Sequence, residues 1–173
     1  GDNVYLGDRF GVRTPMQWSA NKNAGFSTGT RLVHPVIDEG PYRFDEVNVE
    51  TQRRLADSLL NWMTSLIRLR HECTEIGWGD WHILDTGSQG VLGMYFRWQN
   101  SSVVTLHNFE ATVCEVCLDL KQKKESKLVD LMNIDENAAD AKGIHHIRLG
   151  AYGYRWFRAG DLSHLFQKKT TVE

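Results

Sequence analysis

Val91-Leu92-Gly93-Met94-Tyr95-Phe96-Arg97-Trp98, then Gln99-Asn100-Ser101-Ser102, then Val103-Val104-Thr105-Leu106-His107-Asn108 is the stretch on which the fold turns. Met94, Phe96 and Trp98 alternate with Tyr95 and Arg97, the period-two pattern of a half-buried strand. Gln99-Asn100-Ser101 between the two runs carries turn chemistry. Working outward in both directions, further short runs of this kind follow one another: Trp81–Leu84, Thr112–Leu120, Lys127–Met132, Ile144–Leu149 and Tyr152–Arg158. Asp85-Thr86-Gly87, Asn108-Phe109-Glu110 and Asn133–Gly143 read as the breaks between them. Seven short strands at this spacing, with no helix between them, predict an antiparallel β-sandwich over residues 77–160. The charged loop Lys121–Lys127 reads as solvated. The polar tail, 161–173, holds one small apolar group, Leu162–Phe166.

Ahead of the strands the period changes. From Thr51 to Glu72 the spacing predicts one long helix, with Leu55, Ala56, Leu59, Leu60, Trp62, Met63, Leu66, Ile67 and Leu69 on an arc of roughly 180°. That is wider than the ~100° stripe of an ordinary surface helix, so two neighbours are expected to cover it. Arg70 falls inside the arc, where its stem can snorkel. Gly77 and Gly79 permit the helix to stop.

The first 47 residues hold all three prolines (Pro15, Pro35, Pro41) and no sustained pattern, yet they carry Tyr5, Phe10, Met16, Trp18 and Phe26. A segment so rich in aromatics is not a disordered one, and the expectation is an irregular loop region packed against a surface. The fold class is therefore mainly β: an antiparallel sandwich preceded by irregular loops and one long helix.

The chain has 173 residues, a net charge of −2 and an apolar fraction of 41%, which suits an ordinary globular domain. The 20 lysines and arginines nearly balance 22 acids, which argues against a nucleic-acid partner. No apolar run approaches ~18 residues, so no membrane-spanning helix is expected. The start shows no basic and apolar leader, and three cysteines make no disulfide framework; both point to a cytoplasmic setting.

Candidate chemistry is sparse. Cys114 and Cys117 form a C-x-x-C, but residues three apart on a strand face opposite ways, so they read as structural. His145 and His146 are likewise split across two faces, and no metal site or cofactor is expected. Asn100-Ser101-Ser102 is a glycosylation sequon that reads as a turn. Asp2 and Asp8 form no fixed pair, whereas a retaining glycosidase needs its carboxyl groups about 5–5.5 Å apart on rigid supports. Trp78 and Trp81 suggest either a sugar-stacking platform or a core and domain seam.

A resemblance adds what residue chemistry does not. Gly1-Asp2-Asn3-Val4-Tyr5-Leu6-Gly7-Asp8-Arg9, Gly11-Val12-Arg13-Thr14-Pro15-Met16-Gln17-Trp18 and Asn23-Ala24-Gly25-Phe26-Ser27 resemble the stretch after the eighth barrel strand of α-amylase-family enzymes in the trehalose synthase and oligo-1,6-glucosidase group. Val47-Asn48-Val49-Glu50, Ser58-Leu59-Leu60-Asn61-Trp62 and Ile67-Arg68-Leu69-Arg70 resemble that group's last barrel helix, and Gly153-Tyr154-Arg155-Trp156-Phe157-Arg158 its closing strand.

The resemblance implies that residues 1–76 are the end of a (β/α)8 catalytic barrel. The family's three catalytic acids lie upstream, so it implies no catalytic residue here. One substrate-binding residue carries over, Arg13, which would pair with an Asp of an early barrel loop and bind sugar hydroxyls; the other reading is that it anchors the loop. A guanidinium suits the first role because its planar fork meets a carboxylate and keeps donors free. Trp18, Phe26 and Trp62 would be packing residues. The implied partners are maltose, trehalose or another α-glucoside in the intact enzyme, and the missing barrel portion. A bared helix face would also drive self-association through Leu55, Leu59, Trp62 and Leu66. A free-standing α-glucan-binding module, with Trp81 and Tyr95 on its surface, is the other class of reading.

Overall fold

A computed structural model describes residues 13–121, 126–133 and 135–160. The opening motif with Asp2 and Asp8, the middle of the charged loop, and the tail with Leu162–Phe166 lie outside the described residues. Between Ile67 and Arg68 the chain divides into two compact units.

The first unit is loops and helix. Its helical part begins with α1, Val49–Arg54, followed by α2, Leu59–Glu72, which runs on into the second unit. The expected single helix from Thr51 is thus interrupted over residues 55–58, and the cause is side-chain competition for the backbone. Ser58 caps α2 by accepting from the Asn61 amide (3.2 Å). The Gln52 carbonyl, freed from the helix, accepts from Ser58 Oγ (2.6 Å) and Asn61 Nδ2 (3.0 Å), and Asn61 Nδ2 also reaches the Leu55 carbonyl (2.7 Å). Gln52 Oε1 takes the Leu60 amide (3.0 Å). Ser and Asn satisfy helix ends better than helix interiors, and a Ser-x-x-Asn pair here ends one helix and starts the next.

Among its described residues the second unit carries a five-residue helix, α3 (Thr74–Trp78), and eight strands: β1 (Asp80–Leu84), β2 (Val91–Trp98), β3 (Ser101–Asn108), β4 (Cys114–Asp119), β5 (Lys127–Asp130), β6 (Glu136–Ala138), β7 (Ile144–Leu149) and β8 (Tyr154–Gly160). All pairings are antiparallel. Six strands form one sheet in the order β1-β2-β3-β8-β5-β6, and β4 pairs with β7 in a second. Val104, Leu106, Leu128, Phe157 and Ala159 of the large sheet meet Val116, Leu118, Ile147 and Leu149 of the small one in a buried core. The two layers make the expected sandwich. The other face of the large sheet buries Phe96 and Val103 against Cys73, with Leu69 and Ile76 packed beside them.

Two joints are fixed by close approach. At Gly79, between α3 and β1, an added Cβ would strike the carbonyl oxygens of Glu75 and Arg97. A buried ion pair locks α3 to the sheet: Arg158 Nη2 lies 3.4 Å from Glu75 Oε2, and Ser101 Oγ donates to Glu75 Oε1. Arg70, rather than snorkelling into a covered arc, is exposed with its guanidinium over Gly77.

Strand β6 is absent from the sequence-based expectation, which placed a loop over Asn133–Gly143. Glu-Asn-Ala shows no alternation, and its pairing comes from β5, with Lys127 opposite Ala138 and Val129 opposite Glu136.

Candidate functional site

The block Arg13–Trp18 has no regular secondary structure and is pinned from two sides. Gln17 Nε2 donates to the carbonyls of Val47 and Tyr42. In return the Val49 amide donates to the Gln17 carbonyl (2.9 Å) and the Glu50 amide to the Trp18 carbonyl (3.0 Å). These are the otherwise unpaired first amides of α1, so the block caps the helix with its own backbone. Asn48, almost fully buried, completes the cap: its Oδ1 accepts from the Thr51 amide and its Nδ2 donates to the Phe44 carbonyl, both at 2.9 Å.

The Asn23-Ala24-Gly25-Phe26 motif has a comparable job. Asn23, Ala24 and Gly25 take left-handed backbone angles in succession, with φ of 55°, 56° and 68°. This turns the Ala24 carbonyl back to accept from both the Trp18 and the Ser19 amides (2.8 and 3.1 Å). Asn23 Nδ2 ties the next loop through the Ser27 and Gly29 carbonyls. Asparagine and glycine tolerate such angles; alanine does so at a cost of about 1–2 kcal/mol. Gly25 has a second constraint, since a Cβ there would lie 2.5 Å from Ser19 Oγ.

Between the block and the helices lies a cleft of about 310 Å³, lined by Thr14, Pro15, Met16, Gln17, Val47, Asn48, Val49, Gln52 and Leu60. It contains amides and a hydroxyl but no carboxylate. A second, larger depression of about 670 Å³ is lined by Asn21, Lys22, Gly25, Phe26, Ser27 and Thr28, again without an acid. The arrangement can orient a polar ligand, but neither lining holds the pair of carboxylates that a retaining glycosidase uses. Arg13 is exposed at the start of the block, and no partner reaches it among the described residues. Gln17 and Asn23, the residues that shape the loop, were not singled out from sequence; their signal was a polar residue held between Met16 and Trp18, and a polar residue opening an Ala-Gly turn.

About half of the Trp18 and Phe26 side chains stays accessible. The arc of α2 shows the same feature: no residue of the helix is buried, and Leu59 is 67% exposed. Leu69, near its C-terminal end, packs on the sheet face. Trp81 is 60% exposed, while Tyr95 is half-buried, in tilted ring contact with His82 and hydrogen-bonded to Ser102 Oγ (2.7 Å). Trp81 pairs across the sheet with Phe96, and His82 with Tyr95, so Trp81 and Tyr95 face opposite ways and form no common platform.

The two histidines face opposite ways, and so do Cys114 and Cys117, as the strand alternation predicts. His145 is fully buried, held by Asn137 Oδ1 (2.8 Å) and Ser126 Oγ (3.1 Å), and burial pushes its pKa down; His146 is exposed. Cys114 lies against the core and Cys117 faces outward. Among the described residues no group of three or more His, Cys, Asp or Glu side chains is placed to hold a metal, and no helix is long and apolar enough to cross a membrane.

Residues 4–79 match the family model of the α-amylase catalytic domain, and residues 101–158 that of the sucrose hydrolase-like C-terminal domain. Fold and matches together define the class: the chain corresponds to the C-terminal part of an α-amylase-family enzyme, the end of the catalytic domain followed by a β domain. Within that family it is similar to trehalose synthases. It is 33% identical to the Pimelobacter sp. (strain R48) trehalose synthase over 168 residues, covering 93% of this chain and 29% of that protein. A probable oligo-1,6-glucosidase of Bacillus subtilis (strain 168) is 40% identical over 73 residues, 42% of this chain and 12% of the relative. The crystal structure of Bacillus licheniformis trehalose-6-phosphate hydrolase shares the fold, with a TM-score of 0.66 and 22% identity over 89% of this chain and 27% of that one. The chain thus spans less than a third of the length of each of these proteins.

Proposed function

We propose that the chain is the non-catalytic C-terminal part of an enzyme that interconverts maltose and trehalose by intramolecular glucosyl transfer. In the intact enzyme a double displacement would run through a covalent glucosyl-enzyme on acids of the preceding barrel, with glucose retained while water is kept out. Residues 1–76 would be the end of that barrel, 77–160 its supporting sandwich and 161–173 a tail, in a cytoplasmic enzyme. Arg13 would pair with a barrel carboxylate and donate to sugar hydroxyls. The observation that carries this reading is the Arg13–Trp18 block: Gln17, Asn48 and the Ala24 turn hold it rigidly beside a cleft that has polar donors and no acid. A rigid loop presenting an arginine is a binding element, and the chemistry must come from elsewhere.

A hybrid tests this, with the Pimelobacter trehalose synthase carrying this chain in place of its matching segment. The expected result is trehalose formed from maltose, lost on Arg13→Gln with the circular dichroism of the hybrid unchanged. Hydrolysis without trehalose formation would favour the oligo-1,6-glucosidase reading, and full activity of the Arg13 variant would leave the residue as a loop anchor. Conversion of maltose by the chain alone would overturn the proposal. The same reading accounts for the uncovered arc of α2, which the barrel wall would cover; the separated chain is then expected to self-associate through Leu55, Leu59, Trp62 and Leu66, checked by sedimentation across a wide concentration range. One observation favours a glycan-binding role instead: Trp78 and Trp81 are both well exposed, and Trp78 lies 6.5 Å from Trp98. Calorimetric titration with a linear maltooligosaccharide, with and without Trp78→Ala, decides it.

A further inference from the structure

Beyond the glucosyl chemistry, the outer face of the small sheet carries a group of side chains that no part of that reading uses. Strands β4 and β7 pair so that Cys117 stands directly opposite His146. The two side chains meet on the exposed face, with Cys117 Sγ 3.5 Å from His146 Nδ1. On the other side of the ring, His146 Nε2 lies 3.3 Å from Asp140 Oδ2, in the turn that leads into β7. The ring is also held through its backbone, since Asn137 Nδ2 of β6 donates to the His146 carbonyl (2.7 Å). Asp140 is itself fixed: its Oδ1 accepts from the Ile144 and Lys142 amides (2.9 and 2.8 Å). Those contacts, the Ile144 amide foremost, hold its carboxyl below the ordinary carboxylate range, with the His146 bond adding to them.

The chemistry follows from which nitrogen faces what. With Nε2–H donating to the ionised Asp140, Nδ1 keeps its lone pair toward the thiol. A thiol beside an imidazole that is oriented by a carboxylate has the parts of an activated nucleophile: thiol, base, and a third group that sets the base. Glu115 Oε1, 3.6 Å from Nδ1, supports the imidazolium that forms. The other charged groups on this face are Asp119 with its partner Lys121, and Arg148 opposite Glu115. The two remaining cysteines lack this setting. Cys73 is fully buried, and its burial pushes the thiol pKa up. Cys114, three residues from Cys117, packs against the core.

We propose that Cys117 is a thiol–disulfide exchange site, modified by low-molecular-weight disulfides with His146 as proton acceptor and Asp140 as its positioning residue. The thiol proton passes to His146 Nδ1, and Sγ attacks one sulfur of the small disulfide. A mixed disulfide forms as the original sulfur–sulfur bond breaks. The departing thiolate takes up the proton, so Cys117 is oxidised as one half of the small disulfide is reduced.

The test uses the full chain and neutral bis(2-hydroxyethyl) disulfide, with adducts located and timed by peptide mass spectrometry. The expected result is that Cys117 acquires the adduct first and Cys114 at least five times more slowly, with His146→Ala slowing Cys117 roughly tenfold. Added free imidazole should restore much of the variant's rate while leaving the parent rate nearly unchanged, which a merely structural role for the ring does not predict. Asp140→Asn should slow the reaction less than His146→Ala does. The proposal is overturned if Cys114 reacts as fast as Cys117. It is equally overturned if His146→Ala keeps the parent rate, or if imidazole accelerates parent and variant alike. Folding of each variant is followed by the buried-core circular dichroism signal, and the outcome is independent of whether the chain serves a glucosyl-transferring enzyme.

Discussion

The β unit buries ten apolar residues between its sheets, whereas the described part of the loop-and-helix unit buries Ala24 and Pro15 and otherwise seals itself with Ser19 and Asn48. One region is shaped by what it removes from water, the other by where its amides and carbonyls find partners. Both are well formed locally. The difference teaches that a segment can have a fixed backbone and still leave Trp18, Phe26 and the arc of α2 half-covered or worse. Hydrogen bonds give geometry, while the larger part of stability comes from burial.

The contrast breaks if substitutions in the two regions cost alike. The largest effect is expected from Phe157→Ala, which opens a cavity where the two sheets meet and should lower the unfolding free energy by about 3–5 kcal/mol, read from denaturant midpoints. Next comes Glu75→Gln, which strands the guanidinium of Arg158 in a nearly buried site. A loss of about 3 kcal/mol is expected, and the double variant with Arg158→Met should lose less than the two singles together. In the loop-and-helix unit Asn48→Ala removes a cap, with an expected cost of about 1 kcal/mol and faster hydrogen exchange at the Thr51 amide. Leu59→Ala, on the uncovered arc, should change stability by less than about 0.5 kcal/mol. An Asn48 or Leu59 effect as large as that of Phe157 would mean that the first unit has an apolar core of its own.

Acid sharpens the comparison further. His145 is buried and His107 accepts from the Trp156 indole through Nε2, and burial lowers both pKa values from the ordinary 6.5. Each ring therefore binds a proton more readily in the unfolded chain, so the stability they confer is present above pH 6.5 and drains away as pH falls below it. Melting temperature should drop between pH 7 and pH 5 in probes of the β unit. His145→Gln should flatten part of that slope, and an unchanged slope would remove His145 from the account.

The sequence made the strands of this comparison legible, and it did so unevenly. The sequence runs Val91–Trp98 and Ile144–Leu149 occupy the whole of β2 and β7. Glu136–Ala138 has no alternation, and only the position of β5 beside it makes it a strand. The helix from Thr51 was overextended because Leu55 and Ala56 continue the apolar spacing, although Ser58 is a cap residue in the right place. Arg13 was legible through resemblance alone, since an exposed arginine has no pattern of its own. The meeting of Cys117 and His146 was half legible. Alternation set Cys117 opposite in facing to Cys114 and His146 opposite to His145, but their being partners depends on a pairing across 29 positions of chain that neither strand announces.

The turn at Ala24 has one more consequence. Two consecutive amides, those of Trp18 and Ser19, hang from the single oxygen of Ala24, so the turn acts as a clasp with one tooth. It cannot loosen by halves: a flip of that one peptide plane releases both amides together, while the block keeps its separate hold on the helix cap through the Gln17 and Trp18 carbonyls.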